Sequence, residues 1–262
     1  MARYTIYVHP YCMSSYRVVK YLLERDVLDK ITVVPLINGI PLSLERVIPS
    51  VPALEVNGKI AAIDPVEPEF IESVINDLDI SRYIPLDNEQ IIKRFIDSIL
   101  ASSYLAIQIY FSEMSLNDVI DTSFTEYALR TYFSRLDLNR IRETLLNKMN
   151  YIQDTVSKVI PRIVAINYLR DMYIARGGKI DRSEFFDESK LMLWSIAKSS
   201  MGRTFTPLID YTMENIEKYR VILSILKEKF NEYYTKIVNE YSRIKSDEQV
   251  YKILVYGHNM SK

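Results

Sequence analysis

Tyr4-Thr5-Ile6-Tyr7-Val8-His9-Pro10-Tyr11-Cys12-Met13-Ser14-Ser15 is the stretch, residues 4–15, whose reading decides the fold. Its first five residues are β-branched or aromatic and read as a strand. Pro10 and Tyr11 make a turn. From Cys12 to Arg25, residues Tyr16, Val19, Leu22 and Leu23 recur at helical spacing. The chain's one cysteine therefore stands where a helix opens. Unpaired N–H groups and the positive end of the helix dipole favour thiolate over thiol there, and thiolate is the nucleophilic form. Ser15 lies three residues on. Its hydroxyl can donate to a thiolate but cannot close a disulfide, so chemistry at Cys12 is monothiol: attack, a mixed disulfide, and release by an outside thiol. The plain alternative is a buried, inert cysteine.

Working outward, Ile31 to Ile37 reads as a second strand, apolar on both faces, with Pro35 as an oddity. A short helix covers Leu42 to Ile48. Ala53–Val56 and Lys59–Ile63 flank Asn57-Gly58, the strongest short hairpin signal in the chain. Asp64-Pro65-Val66-Glu67 opens the next helix, with Asp64 as N-cap and Pro65 in the first turn, running to about Leu78. The order is β-α-β-α-β-β-α over residues 1–78, and 79–87, containing Pro85, reads as a linker.

Residues 88–262 read as all-helical. Asp87 caps a run through Phe111, and Ser123-Phe124-Thr125-Glu126 reads as a capping box. Leu138 to Ala175 is one long helix or two joined at Pro161, stopped by Gly177-Gly178. Phe185 to Met201 is a helix ended by Gly202. Thr206-Pro207 starts the last helical region, to about Lys245, and the tail from Ser246 reads as loosely held. Ile216, Tyr219, Leu223, Leu226, Phe230, Tyr233, Ile237 and Ile244 follow a three-and-four pattern interrupted at Glu240. Such a seam suits a bundle helix, with a homodimer contact as the sharper alternative.

With 33 basic and 34 acidic residues the net charge is −1, so no long-range field would gather polyanions and nucleic acid is not the expected partner. No apolar run reaches membrane-spanning length and the start lacks a signal-peptide pattern, so no membrane partner is expected. One cysteine excludes an internal disulfide and fits a reducing, cytoplasmic setting. The two histidines, His9 and His258, are too few for a histidine-rich metal site. Few glycines with many Ile, Tyr, Lys and Glu are a weak pointer to a thermophilic source.

Forty residues after the cysteine stands Val51-Pro52-Ala53-Leu54, directly before a strand and its Asn-Gly hairpin. Together with strand–Cys12–helix, this resembles the thioredoxin superfamily, and more closely its glutaredoxin and glutathione-transferase branch. The helices all follow the completed β-α-β-α-β-β-α unit, as in two-domain members of that branch. The resemblance implies a glutathione-transferase-like architecture: an α/β thioredoxin-like N-terminal domain followed by an all-α domain. It implies that Pro52 is a cis-proline beside the cysteine and that Val51 offers backbone hydrogen bonds to a bound thiol. Asp64 falls on the acidic position that holds the γ-glutamyl end of glutathione, while Pro65 replaces the serine expected next to it. Tyr11 would line the substrate side of the loop.

The leading functional expectation is a monothiol thiol–disulfide oxidoreductase or thiol transferase, with Cys12 and Ser15 catalytic and Tyr11, Val51, Pro52 and Asp64 contacting substrate. No cofactor is expected to be tightly bound. The thiol partner is glutathione, another low-molecular-weight thiol or a protein disulfide. The alternative is a non-enzymatic protein that keeps the fold for assembly. His9 is close enough in sequence to tune the thiol or simply ends the strand. Arg17 and Lys20 read as solvated helix charges or as attractors of an anionic thiol. Tyr104, Tyr110, Phe111, Trp194 and Tyr211 are candidates for core or for the wall of a cleft.

Overall fold

The computed structural model of the chain describes residues 2–36, 48–111, 114–134, 136–178, 181–199 and 213–259. A small mixed sheet occupies the N-terminal part, and the rest of the described chain is largely helical. Strand β1 (Tyr4–Val8) leads through the Cys12 turn into helix α1 (Met13–Glu24). Strand β2 (Thr32–Pro35) lies parallel to β1. The hairpin β3 (Ala53–Val56) and β4 (Lys59–Ile63) completes the sheet in the order β2-β1-β3-β4, with β3 antiparallel to both neighbours. Asn57 and Gly58 both take positive φ, 52° and 83°, the turn that a two-residue hairpin requires. The register steps between Leu54 and Glu55, a bulge that leaves Ala61 and Ala62 on the same side of the sheet.

Both faces of the sheet are covered. Ile6, Val8, Leu54 and Val56 point into a cluster with Tyr16, Val19 and Leu22 of α1 and with Phe70 and Ile71 of α2 (Pro68–Ile75). Tyr7, Ala53, Ile60 and Ile63 point the other way, into the main helical core. That core is built by α3 (Asn88–Ala101), α4 (Ser103–Tyr110), α5 (Leu116–Ile120), α6 (Ser123–Leu129), α7 (Leu138–Asn147), α8 (Met149–Ala175), α9 (Glu188–Ser199) and α10 (Met213–Ser246). The seam of α10 is used within the chain: Tyr219, Leu223, Leu226, Phe230, Tyr233 and Ile237 bury in this core, with α8 as the main partner. Among the described residues no helix is long and apolar enough to cross a membrane.

Several helix ends differ from the sequence expectation. Asp87 does cap α3, accepting from the Gln90 N–H at 2.8 Å. Asp64 caps nothing. The helix after the hairpin begins at Pro68 with Glu67 at the N-cap position, and Asp64–Pro65 is a cis peptide, as is Val51–Pro52. With Pro65 and Pro68 both available to open the helix, tertiary contacts at Glu67 decide for the second. Thr122, not Ser123, caps α6, and the reciprocal capping box lies earlier, between Ser115 and Asp118. Helix α8 runs through Pro161, and the break in 138–175 falls at Lys148 instead. Ile152, Val156, Ile160, Val164, Tyr168 and Leu169 on one face are all buried, and this packing outweighs the lost backbone bond. The helix expected at 42–48 falls mostly, and the Gly202, Thr206-Pro207 and Tyr211 positions entirely, outside the described residues.

The largest correction is at the C-terminus. Residues Glu248–Tyr256 form helix α11, capped by Asp247, and it lies on α1 and β2. Val250 and Leu254, with Ile244 before them, bury in the N-terminal cluster, so the chain's last helix completes its first core. His258 then bridges the outer edge of β2, exchanging two hydrogen bonds with Val33 at 2.7 and 3.1 Å and blunting an open strand edge. Gly257 permits this approach: a Cβ there would sit 2.7 Å from the Val33 carbonyl oxygen, and its φ is +80°.

An ionic junction fixes the segment after β4. The Arg130 guanidinium is fully buried over the Phe70 ring, 3.9 Å from its centroid, and donates to the carbonyls of Tyr83 and Pro65 and to the Glu67 carboxylate. Arg94 adds bonds to the same Pro65 carbonyl, to Glu67 and to Ala128. Burial alone would raise the Glu67 carboxyl, but the two guanidinium groups outweigh it and hold it below its ordinary value. This clamp holds the turn that carries Asp64.

Candidate active site

Cys12 is the N-cap residue of α1, in extended conformation, and its side chain makes no capping bond. The turn before it is closed by the Cys12 N–H to the His9 carbonyl at 3.1 Å and by the Tyr11 N–H to His9 Nδ1 at 3.3 Å. The thiol points across to β3 and donates to the Val51 carbonyl at 3.5 Å. Ser15 is fully buried beneath the loop. Its Oγ accepts from the His9 N–H at 3.2 Å, and Ser15 lies close enough to the sulfur to favour the thiolate. Sequence positions 12, 15, 51 and 52 therefore meet in one place.

Asp64 joins them from the end of β4. Its carboxylate accepts from the Ser14 hydroxyl at 3.4 Å, and the backbone of Val66 lies close enough to favour its ionised form. Burial raises its carboxyl from the ordinary 3.8 to about 6, with Glu67 adding to the rise and the hydrogen bonds and Arg17 opposing it. That half-buried anion in turn bears on the thiol.

The position of Cys12 at a helix start leads one to expect a depressed thiol pKa. The structure reverses the sign. Burial of the sulfur, then the Asp64 charge, raises the Cys12 thiol, and together they outweigh the two Ser15 contacts and the distant Arg170 charge. The residue is half-buried, with its sulfur set against the Val51 carbonyl. The resting form is the thiol.

His9 does not supply a positive charge. Burial lowers it from 6.5 to about 4, and Lys198 lowers it further against a smaller opposite effect of Asp171, so the ring is neutral near pH 7. Lys198 and Asp171 belong to α9 and α8 and form an ion pair at 2.9 Å. Trp194 Nε1 donates to the same carboxylate at 3.0 Å. Arg170, one position earlier, pairs with Glu240 of α10 at 3.1 Å. The helical wall facing the loop is thus polar but internally neutralised. None of these four charged residues was a candidate from sequence, because no local pattern ties α8, α9 and α10 to a loop so far away along the chain.

Tyr11 turns away from the sulfur. Its ring stacks on Tyr241 of α10 with centroids 5.4 Å apart, and its hydroxyl meets that of Tyr251 of α11 at 3.3 Å. Lys20 is drawn to Asp247 at 3.3 Å rather than to the cysteine. Of the aromatic candidates, Phe111 is core, Tyr110 packs on it and donates to the Lys218 carbonyl, and Tyr104 lies half-buried against the same core. Trp194 touches the polar wall. Among the described residues no three His, Cys, Asp or Glu side chains are grouped to hold a metal ion.

Comparison with protein-family models, with curated proteins and with solved structures finds no match for this chain.

Proposed function

We propose that the chain is a monothiol thiol–disulfide oxidoreductase or thiol transferase on a glutaredoxin and glutathione-transferase type of architecture. The observation that carries the reading is the meeting of Cys12, Ser15 and the cis Val51–Pro52 peptide at the first strand-to-helix turn, with the sulfur 3.5 Å from the Val51 carbonyl. The strand order β2-β1-β3-β4 and the placing of Val51-Pro52 directly before β3 support the same architecture.

In the proposed reaction the Cys12 sulfur attacks one sulfur of a disulfide. The S–S bond breaks, Cys12 is left in a mixed disulfide, and the departing thiolate takes the proton that Cys12 loses. A second, external thiol attacks the substrate-derived sulfur of that mixed disulfide; the bond to Cys12 breaks, Cys12 leaves as thiolate and takes the proton the external thiol loses, and the two outside sulfurs depart joined as the new disulfide. Ser15 stabilises the thiolate while it exists, and the backbone at Val51 aligns the incoming sulfur. Glutathione, another low-molecular-weight thiol or a protein thiol can serve as the second reactant. Pro65 offers neither a side-chain donor nor an N–H beside Asp64, so glutathione would lack that contact.

The second reading, a non-enzymatic protein that uses the fold for assembly, is favoured by the half-buried setting of Cys12 beside the Asp64 carboxylate, which pushes the thiol up. Reduction of a small aliphatic disulfide by added thiol separates the two. The oxidoreductase reading expects turnover that Cys12→Ser abolishes. Equal turnover in that variant, or none in the parent at millimolar thiol, overturns it.

A further inference from the structure

Lys245, on the last turn of α10, is surrounded by three phenol rings. Its Nζ lies 4.8 Å from the centroid of Tyr251, 5.3 Å from Tyr241 and 5.9 Å from Tyr11. Tyr11 and Tyr241 stack, and Tyr241 meets Tyr173 of α8 edge-on at 5.4 Å, which continues the contact into the helical core. Just beyond, Asp247 accepts from Tyr16 at 3.1 Å and from Lys20 at 3.3 Å, so the α10–α11 junction also grips the outer face of α1. Tyr11 is bonded directly to Cys12, and its backbone N–H helps set the turn on His9. The ring contacts thus tie the residue next to Cys12 to α10 and α11.

We infer that the α10–α11 junction is a restraint on the cysteine loop: Lys245, Tyr241 and Tyr251 hold Tyr11 down, and release of Tyr11 opens the Cys12 sulfur to incoming thiols and disulfides. The residues that do this lie outside the chemistry and act only through Tyr11. The half-buried state of Cys12 and the bond of its thiol to the Val51 carbonyl agree with this arrangement. The inference rests on the reading of Cys12 as the reactive group for its use, but not for its test.

Because the chain has one cysteine, any thiol reagent reports on Cys12 alone. The experiment is alkylation of the intact protein by iodoacetamide at fixed pH, alongside its urea midpoint. Lys245→Met and Tyr251→Phe are each expected to raise the second-order rate by about fivefold, the change in an opening equilibrium when one cation–π or phenol hydrogen bond is lost. Lys245→Arg, which keeps a cation among the rings, is expected to retain the parent rate. Parent-like or slower alkylation in both Lys245→Met and Tyr251→Phe overturns the restraint. A faster rate matched by an equal loss of global stability also overturns it, since opening would then be general unfolding. Should Lys245→Met fail to fold, Tyr251→Phe decides, as it removes one hydroxyl and keeps the ring. Iodoacetamide reads access whether or not the chain turns over a disulfide, so failure of the restraint and failure of the redox reading are separate results.

Discussion

Replacing Asp64 by asparagine should stabilise the protein at neutral pH, although Asp64 is a residue of the candidate site. Its carboxyl stands at about 6 in the folded chain against an ordinary 3.8. Below pH 3.8 the group is protonated in folded and unfolded chain alike and contributes no pH dependence. Between 3.8 and 6 the unfolded chain loses its proton while the folded chain keeps it, so stability falls as pH rises. Above 6 both forms are ionised and the loss is complete. A difference of about two pH units at 1.36 kcal/mol each makes ionised Asp64 a burden of about 3 kcal/mol. An asparagine side chain at this position can still accept from the Ser14 hydroxyl, so most of this should return on substitution. Urea unfolding of both proteins at about pH 4, 5.5 and 7.5 measures it. The stability gap should be small at pH 4 and reach about 1–3 kcal/mol in favour of Asp64→Asn at pH 7.5. Cys12 should also alkylate faster in the variant, since a neighbouring anion is gone. A gap that stays flat with pH, or a variant less stable at neutral pH, would refute the account of Asp64 and the sign assigned to the thiol.

Two further substitutions probe what holds the site in place. Glu67→Gln leaves the fully buried Arg130 guanidinium without its carboxylate. Because Glu67 keeps 42 % side-chain exposure, we expect a loss of about 2 kcal/mol rather than the roughly 3–5 of a sealed pair, read from urea midpoints. No loss would mean that the carbonyls of Tyr83 and Pro65 satisfy Arg130 by themselves. Leu254→Ala should cost about 2–5 kcal/mol and lower amide-exchange protection in β2 and α1, and a loss below about 1 kcal/mol would remove α11 from the N-terminal core.

The mixed sheet followed by helices was legible because its signals are local. The β-rich run at 4–8, the cysteine at the turn, the Asn57-Gly58 hairpin and the Asp87 cap each lie within a few residues of the structure they specify. What escaped sequence reading was set by distant partners. Helix α11 offers Val250, Tyr251, Ile253 and Leu254 as an apolar face, too short a pattern to read, and its partners include β2 and α1. The helix start after β4 was misplaced because a buried arginine at position 130 decides between two prolines. At the site, the meeting of Cys12, Ser15, Val51 and Pro52 was legible from spacing and resemblance, but the thiol's electrostatics were not. Helix position is local; burial and the Asp64 charge are tertiary, and at this sulfur they are the larger effects.

Those tertiary effects bear on the choice between an enzyme and a scaffold. A scaffold has no use for a carboxylate that destabilises it, and apolar packing around residue 12 would serve assembly better. Instead the loop keeps Asp64 half-buried at a cost of about 3 kcal/mol, keeps Ser15 in contact with the sulfur, and faces Arg170–Glu240 and Asp171–Lys198 from the helical wall. Polar groups retained against stability concentrate where chemistry or recognition needs them. The balance at the sulfur is between burial with Asp64 on one side and Ser15 with Arg170 on the other. Hydration of the sulfur in an opened loop would weaken the first pair. On the reading proposed above, the thiol rests protonated and ionises when its loop is released, and control of its reactivity would lie in the contacts of Tyr11 rather than in the cysteine itself.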